Sequence, residues 1–309
     1  MAGRRRHHYV PRFYLDKFVD RSTIPPRLWI YDKVRGAIEP STPSDAGAEK
    51  HYYAFKKDDG SRDSAAFEEA LSKADNEAAP VLAKLLESHQ LTPAERECFS
   101  RFLALTMVRG PVYRGNFERM NAAIVKRLTQ RRARAGAFDD ILKRGAAAGE
   151  KLRQILDAGD FEVDVLPQIS LPIIGQALGR FAPVFERMSW VLITAPAGHR
   201  YVTSDNPLTY MDPTHDPRSP YGVGLMTAAV QVAMPLSTDV ALITGWDDEH
   251  EGSLGVLPGE GAWVEDINVR TVVRAERFVW AAERSDALLR LVMSHRDSAP
   301  RIGLDPVED

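Results

Sequence analysis

The stretch Ser189–Thr194, which reads Ser-Trp-Val-Leu-Ile-Thr, decides the fold class because the spacing of apolar residues changes there. On its N-terminal side, apolar residues recur every three or four positions, which is the spacing of amphipathic helices. On its C-terminal side, short apolar runs separated by turn residues are typical of strands. Helices followed by strands predict an α+β fold.

The helical section is predicted over residues 61–188. Its first helix carries an apolar stripe formed by Phe67, Leu71, Ala74, Ala78, Leu82 and Leu85. Thr92, Pro93 and Glu95 then form a capping box with proline at the first helical position, which predicts a helix to about residue 108. Three more helices are predicted over residues 113–134, 139–156 and 168–187.

Strands are predicted on both sides of these helices. Residues 27–32 alternate like a strand, and residues 36–48, rich in Gly, Pro, Ser and Ala, are predicted to be a loop. Residues 190–194 and 200–203 flank Ala-Pro-Ala-Gly and are predicted to form a hairpin. The remaining predicted elements are strands at 230–234, 240–244 and 278–282 and helices at 264–274 and 285–294. We therefore expect a helix-rich middle section packed against a mainly antiparallel sheet that the N- and C-terminal parts form together.

Length and composition predict one globular domain, since the chain has 309 residues, 44% of them hydrophobic. Its expected parts are an N-terminal motif and sheet segment (1–60), a helical section (61–188), a sheet-rich section (189–296) and a frayed tail (297–309). One cysteine, Cys98, excludes an internal disulfide framework. No apolar run approaches the roughly 20 residues that span a bilayer, and no secretory signal is present. We expect a soluble, cytoplasmic protein with no membrane partner.

Reactive side chains are most concentrated in residues 7–15, which read His-His-Tyr-Val-Pro-Arg-Phe-Tyr-Leu. Imidazole titrates near neutrality, so an adjacent pair suits proton transfer or metal binding. The candidate catalytic residues in this segment are His7, His8, Tyr9, Arg12 and Tyr14. The alternative is a structural N-terminal arm whose aromatic rings pack on the protein body while its histidines face solvent.

A second candidate segment is Thr-Ser-Asp-Asn-Pro at residues 203–207, where a predicted strand ends in a turn. Asp205 could orient an imidazole or bind a cation, and Ser204 could act as a nucleophile or a hydrogen-bond donor. Asn206 could donate to a developing oxyanion. The alternative is an Asx turn in which Asp205 and Asn206 only cap backbone amides.

Two helices carry charged groups that could belong to a site. Glu68 lies beside the apolar stripe of the first long helix, and Glu69 points about 100° away, so at most one of them faces a given pocket. The macrodipole alone would also favour carboxylates at a helix start. The third predicted helix is basic, through Arg119, Lys126, Arg127, Arg131, Arg132 and Arg134. In a chain of net charge -3 this segregation predicts a polyanionic partner, although a solvated basic face has the same pattern.

Several common catalytic signatures are absent from the sequence. It has no P-loop, no intact Rossmann glycine fingerprint, no His-Glu-x-x-His and no Gly-x-Ser-x-Gly. We therefore expect no cofactor. Without an ATP site, an enzyme of this kind needs an already activated substrate, a metal-activated water or a labile bond.

The sequence resembles domain-of-unknown-function family 4238, a bacterial and fungal family that includes arginine-containing cyclodipeptide synthases. The segments that carry the resemblance, in the expected order, are residues 7–15 with Phe18, 51–53 (His-Tyr-Tyr), 203–207 and 234–237 (Met-Pro-Leu-Ser). The resemblance implies that an arginyl group from arginyl-tRNA is condensed with a second aminoacyl group into a cyclic dipeptide. It also implies that charged tRNAs are the partners. We predict no metal site.

This activity suggests a role for each candidate residue. His7 or His8 would take the proton of the attacking amine, and Tyr9, Tyr14 or Asn206 would donate to the oxyanion. Asp205 or Glu68 would bind the substrate guanidinium. The substrate-binding candidates are Glu68, His51, Tyr53 and Arg109. The candidates for contacts with tRNA phosphates are Arg4, Arg5, Arg6, Lys126, Arg127, Arg131, Arg132 and Arg134.

Two other classes of function are compatible with the same residues. A metal-dependent hydrolase or nuclease would use His7, His8, His51 and Asp205 as ligands, although no histidine pair has helical i,i+4 spacing. A non-catalytic RNA-binding protein would need only the basic helix. The synthase hypothesis makes one geometric prediction: the N-terminal imidazoles meet the Asp205 loop in one cavity, within reach of that helix.

Overall fold

The fold is α+β, as the change in apolar spacing at Ser189–Thr194 predicts. The computed structural model describes residues 6–50, 52–53, 55–56, 62–63, 65–140, 146–165, 167–216 and 222–298. In these ranges the long helices lie in the middle of the chain, with strands before and after them. Residues 299–309, most of the predicted tail, lie outside the described ranges.

The helices follow the predicted apolar spacing. They are α1 Arg12–Leu15, α2 Ala65–Ser88, α3 Pro93–Arg109, α4 Pro111–Arg134, α5 Ala146–Ala158, α6 Pro167–Arg187, α7 Gly261–Arg274 and α8 Asp286–Ser294. The short α1 was not expected, whereas the other helices correspond to predicted ones. The start of the predicted fourth helix falls partly on residues 141–145, which lie outside the described residues.

The capping box at the start of α3 is present. The amide of Glu95 donates to Oγ1 of Thr92 at 3.3 Å, and the amide of Thr92 donates to Oε2 of Glu95 at 2.7 Å. The C-terminal half of α3 is buried as far as Arg109. This burial results from packing of α3 against α2 and α6.

Two sheets contain most of the strands. One consists of β7 Ser189–Thr194, β9 Thr209–Met211, β10 Gln231–Pro235, β11 Val240–Gly245 and β12 Leu254–Pro258, in the order β12-β7-β11-β10-β9. The other consists of β2 Leu28–Asp32, β3 Ala37–Ser41, β8 Thr203–Ser204 and β13 Phe278–Ala281, in the order β3-β2-β13-β8. In these two sheets only β12 and β7 pair in parallel. The pairing of β2 with β13 confirms that the N- and C-terminal parts share a sheet.

Two short antiparallel pairs lie apart from these sheets. β1 Arg6–His8 pairs with β4 Ala48–Lys50, and β5 Phe55–Lys56 pairs with β6 Arg62–Asp63. The first pair places His7 opposite Glu49 and His8 opposite Ala48. Pairing with β4 therefore anchors the two histidines to the body of the protein.

Two predictions about strands were wrong. Residues 36–48, predicted to be a loop, contain β3 and β4; β3 follows a turn in which Gly36 has φ of 64°, and Pro40 is tolerated because β3 is an edge strand. The predicted hairpin at Ala-Pro-Ala-Gly does not form, since β7 and β8 belong to different sheets. Thr203 pairs with Trp280, a partner far away in sequence that local turn signals cannot indicate.

The N-terminal segment is part of the hydrophobic core. Tyr14, Leu15 and Phe18 are fully buried, and the Tyr14 ring lies 6.5 Å from that of Phe102 on α3. The same core contains Trp190 of β7. Among the described residues, no helix has both the length and the apolar character that a membrane crossing requires.

Candidate functional site

A groove of about 760 Å³ lies between the N-terminal segment and one face of α2. The N-terminal segment contributes His7, His8, Pro11, Arg12, Phe13 and Asp16. The helix contributes Glu68, Leu71, Ser72, Asp75 and Asn76, and the lining is completed by Ser44 and Tyr53. The groove thus combines two imidazoles, three carboxylates and one guanidinium.

His7 is held through both of its ring nitrogens. The backbone amide of Tyr53 donates to Nδ1 at 2.9 Å, so Nδ1 carries no proton. Nε2 lies 2.5 Å from Oε1 of Glu68 and donates to it. The imidazole also stacks on the Tyr53 ring, with centroids 5.8 Å apart and planes 7° apart. His7 is therefore a neutral donor in a fixed orientation, with a side chain only 2% exposed.

His8 and Arg12 are more accessible than His7. Nε2 of His8 donates a hydrogen bond to the carbonyl oxygen of Ser44, 3.2 Å away. The Arg12 side chain is 65% exposed, and its Nε lies 3.9 Å from a carboxylate oxygen of Asp16. Both residues line the groove.

One face of α2 presents a row of polar side chains to the groove: Glu68, Ser72, Asp75 and Asn76. Their spacing of four, seven and eight residues from Glu68 places them on one side of a helix. Of these four residues only Glu68 is predicted from the sequence, although the spacing of the other three beside the apolar stripe was a usable signal. Glu69 is exposed and is not among the lining residues, in agreement with the angular argument.

Arg109 lies behind the groove, so its predicted contact with the substrate is wrong. Its side chain is 0% exposed, and Nη1 donates to Oδ1 of Asp75 at 2.8 Å. Its Nε and Nη2 have no hydrogen-bond partner among the described residues. Asp75, 20% exposed, is the partner that lines the groove. Arg109 therefore orients Asp75.

The tyrosines predicted at the site are buried. Tyr14 donates to the carbonyl oxygen of Pro235 at 2.6 Å, and its oxygen lies 2.7 Å from Oγ1 of Thr203. Burial raises the pKa of Tyr9 and of Tyr14 well above the usual range. Tyr53 alone of the three lines the groove, and its hydroxyl lies 3.5 Å from the carbonyl oxygen of His8. Tyr9 and Tyr14 are therefore structural, which corrects their predicted role as oxyanion donors.

Asp205 caps three backbone amides and does not line the groove. Its carboxylate accepts the amide hydrogens of Glu276, Arg277 and Phe278 at 2.8, 2.7 and 2.8 Å. Burial raises the pKa of Asp205 to about 6, against the effect of these amides. The alternative of a local Asx turn does not form either, because the Asp205 carboxylate accepts from residues 276–278, far away in sequence, and fixes the connection between α7 and β13.

Ser204 and Asn206 also make local contacts. Ser204 is fully buried, and its Oγ accepts the amide hydrogen of Asn206 at 3.2 Å. Asn206 donates through Nδ2 to the carbonyl oxygen of Arg274 at 3.1 Å and lines a different cavity, of about 60 Å³. Neither Ser204 nor Asp205 lines the groove. The expectation that the imidazoles and Asp205 share one cavity was therefore wrong.

The ligand set suggested for a metal-dependent hydrolase is not assembled among the described residues. Asp205 is occupied by backbone amides, away from the histidines of the groove. In the described ranges, no three His, Cys, Asp or Glu side chains are grouped so as to hold a metal ion. His51, the remaining suggested ligand and a substrate-binding candidate, lies outside them.

The basic helix is α4, and its cations lie beyond the groove. Arg127, Arg131, Arg132 and Arg134 are exposed, whereas Nζ of Lys126 lies 5.4 Å from the centroid of the Phe161 ring. The first turn of α4 adjoins the site, because Arg114 donates to the carbonyl oxygen of Tyr52. At about 1.5 Å per residue, the cations lie roughly 18 to 30 Å farther along the helix axis. Arg4, Arg5 and the side chain of Arg6 lie outside the described residues.

Comparisons with known proteins give a family but no described relative. The sequence matches the family described as "Protein of unknown function (DUF4238)" over residues 6–285. Neither the curated proteins nor the solved structures give a match. The match includes the histidine segment, the groove and both main sheets. The chain therefore belongs to the DUF4238 family.

Proposed function

We propose that the groove condenses aminoacyl groups delivered by tRNA, one of them arginyl, into a cyclic dipeptide. The observation that carries this proposal is the presence, in one groove, of three carboxylates beside an imidazole in a fixed orientation. The volume of the groove, about 760 Å³, is within the usual range of pockets for small organic ligands. Such a pocket would hold an aminoacyl ester with part of the terminal nucleoside.

The chemistry needs no cofactor, because the substrate is an activated ester. The α-amine of one aminoacyl-tRNA attacks the ester carbonyl carbon of the other, a C–N bond forms, and the C–O bond between that attacked carbonyl and its own tRNA breaks, which leaves a dipeptidyl ester on the tRNA that supplied the amine. The proton lost by the amine ends on the hydroxyl of the released tRNA. The free amine of the dipeptidyl ester then attacks its own ester carbonyl in the same way. The six-membered ring closes and the second tRNA leaves.

The charge of the groove suits an arginyl group. Three carboxylates line the groove, Asp16, Glu68 and Asp75, against the guanidinium of Arg12 in the lining and that of Arg109 behind Asp75. An arginyl ester carries a guanidinium and, before deprotonation, an α-ammonium group, and both are hydrogen-bond donors. A guanidinium pairs with a carboxylate through two parallel hydrogen bonds, which is a geometry that the neutral amino acids do not offer.

The exposed cations of α4 suit the tRNA part of the substrate. Arg127, Arg131, Arg132 and Arg134 form an exposed basic region on a chain with net charge -3. Phosphate contacts of this kind are independent of base sequence and sensitive to salt. Because α4 begins beside the groove, a tRNA stem lying along this helix would direct its aminoacylated end toward the carboxylates.

The deciding experiment supplies the protein with arginyl-tRNA and each other aminoacyl-tRNA and analyses the products by mass spectrometry. We expect a cyclic dipeptide that contains arginine. Replacing arginyl-tRNA by citrullyl-tRNA, which has the same shape without the charge, should lower kcat/KM about 100-fold, since a charge-assisted hydrogen bond contributes roughly 3 kcal/mol. The variant Asp75→Asn should raise KM for arginyl-tRNA more than for citrullyl-tRNA.

Glu69→Gln is the matched control, because Glu69 is on the same helix but is exposed outside the groove. It removes one negative charge from α2 and should leave both substrates unaffected. The absence of a cyclic product with every pair of charged tRNAs would refute the proposal. Binding of tRNA without turnover would then indicate an RNA-binding protein, and release of free amino acids a hydrolase.

A further inference from the structure

The side-chain pair His7–Glu68 is asymmetric in its exposure. The His7 side chain is 2% exposed and the Glu68 side chain 22% exposed, although Nε2 and Oε1 are 2.5 Å apart. Nδ1 of His7 accepts a hydrogen bond from the amide of Tyr53, and Nε2 donates one to the carboxylate of Glu68. A substrate in the groove therefore reaches the carboxylate more easily than the lone pair of the imidazole.

We propose that Glu68, rather than His7 or His8, accepts the proton of the attacking α-amine, and that His7 is a positioning residue. This inference rests on the proposed aminoacyl transfer and names its base. As the C–N bond forms, the proton moves from the amine nitrogen to the carboxylate of Glu68. As the C–O bond breaks, Glu68 returns that proton to the leaving ribose oxygen. The enzyme ends each cycle in its initial protonation state.

The hydrogen bonds of His7 prevent it from acting as the first base. An imidazole that donates at Nε2 and accepts at Nδ1 has no remaining lone pair for a substrate proton. Rotation of the ring would break the bond from Tyr53 and the stacking on its ring. His7 instead holds Glu68 in one orientation, which is the function of a supporting hydrogen bond in a preorganised site.

His8 differs from Glu68 in its position. Its Nε2 donates a hydrogen bond to the carbonyl oxygen of Ser44, 3.2 Å away. Glu68 instead stands in the row of polar side chains on α2, four residues before Ser72 and seven before Asp75. A base in this row lies next to the carboxylate proposed to bind the cationic substrate, so the amine and its acceptor are brought together by one helix.

Isosteric variants distinguish the base from its support. Glu68→Gln keeps an oxygen that accepts from His7 but cannot take up a proton, so kcat should fall by about 100-fold or more, with KM changed less than about threefold. His7→Gln keeps an N–H donor for Glu68 and should retain kcat within about tenfold, whereas His7→Phe, without a donor, should lose more. Glu69→Gln should match the wild type.

Three results would overturn the assignment. The first is a wild-type kcat in Glu68→Gln. The second is a decrease in kcat in His7→Gln as large as the decrease in Glu68→Gln. The third is a decrease in kcat that occurs in His8→Gln alone. If the wild-type protein makes no cyclic product, the proposed function itself fails, which is a different outcome from an active enzyme that tolerates Glu68→Gln.

A second measurement does not depend on turnover. Nitrogen-15 NMR of the histidine rings reports which nitrogen of His7 carries the proton. We expect the neutral Nε2–H form in the wild type and in Glu68→Gln. A proton on Nδ1 would contradict the arrangement in which Tyr53 donates to His7, and with it the positioning role.

Discussion

The hydroxyl of Tyr14 lies 2.7 Å from Oγ1 of Thr203, so the two most distinctive motifs of the sequence meet inside the core. The Tyr14 hydroxyl donates its one hydrogen bond to the carbonyl oxygen of Pro235. The hydroxyl of Thr203 is therefore the donor in the hydrogen bond between Thr203 and Tyr14. Pro235 lies in the third motif, the Met-Pro-Leu-Ser segment. One buried hydrogen-bond chain thus joins three segments that are far apart in sequence, away from the groove.

Tyr14→Phe should lower the free energy of unfolding by about 1 to 3 kcal/mol, because it leaves buried polar atoms of Thr203 and Pro235 unpaired. Thr203→Val should have a similar cost. The double variant should lose less than the sum of the two, since both changes remove the same hydrogen bond. Urea unfolding of the wild type, the two single variants and the double variant measures this coupling.

Tyr210→Phe, at a residue that is 37% exposed, is the control and should change the free energy of unfolding by less than about 0.5 kcal/mol. Strict additivity would contradict the buried chain.

Asp205→Asn should destabilise the protein by about 3 kcal/mol, because Asn has one side-chain oxygen to accept from the three backbone amides where Asp205 uses two. Asp212→Asn is a control, because Asp212 accepts a backbone amide hydrogen as well, but a local one, from Thr214 at 2.7 Å in an exposed turn. Once folded, Asp205→Asn should keep the wild-type kcat, because Asp205 is outside the groove. A loss of kcat with unchanged stability would restore a catalytic role to Asp205.

The contribution of Asp205 to stability should decrease as the pH rises. Burial raises its pKa from the ordinary 3.8 to about 6, so between these values the folded protein holds a proton that the unfolded chain has released. The stabilisation is fully present below pH 3.8 and is lost as the pH rises through about 6. The difference in unfolding free energy between the wild type and Asp205→Asn should be smaller at about pH 7.5 than at about pH 4.5. An equal difference at both pH values would contradict the raised pKa.

Replacing Arg131, Arg132 and Arg134 by glutamine should weaken tRNA binding and reduce its dependence on salt. Each lost phosphate contact lowers the slope of log K against log salt by about 0.7 to 0.9, so the slope should fall by about 2 to 3. The control variant changes Arg284, Arg290 and Arg296, three exposed arginines on and beside α8, to glutamine. Filter binding at several salt concentrations measures both. An equal effect of the two triple variants would show that only net charge matters.

Local patterns predicted most of the elements because burial of one face imposes a period on the sequence. The stripe from Phe67 to Leu85 predicted α2, and Thr92 with Glu95 predicted the start of α3. Weakly patterned strands such as β3 and β12 were missed. Their position is set by backbone hydrogen bonds to a partner strand, β2 for β3 and β7 for β12. Backbone pairing of this kind does not require a particular pattern of side chains in the strand itself.

The sequence by itself determined the fold class, every helix except the short α1 and the presence of reactive segments, since these follow from local spacing and residue type. Only the tertiary structure decided which reactive groups reach solvent. Glu68 and Asp205 are both carboxylates beside apolar residues, yet one lines a groove and the other caps three amides. The partner of each comes from elsewhere in the chain, His7 for Glu68 and residues 276–278 for Asp205. Contacts over such separations depend on how the helices and sheets pack, which no local pattern contains.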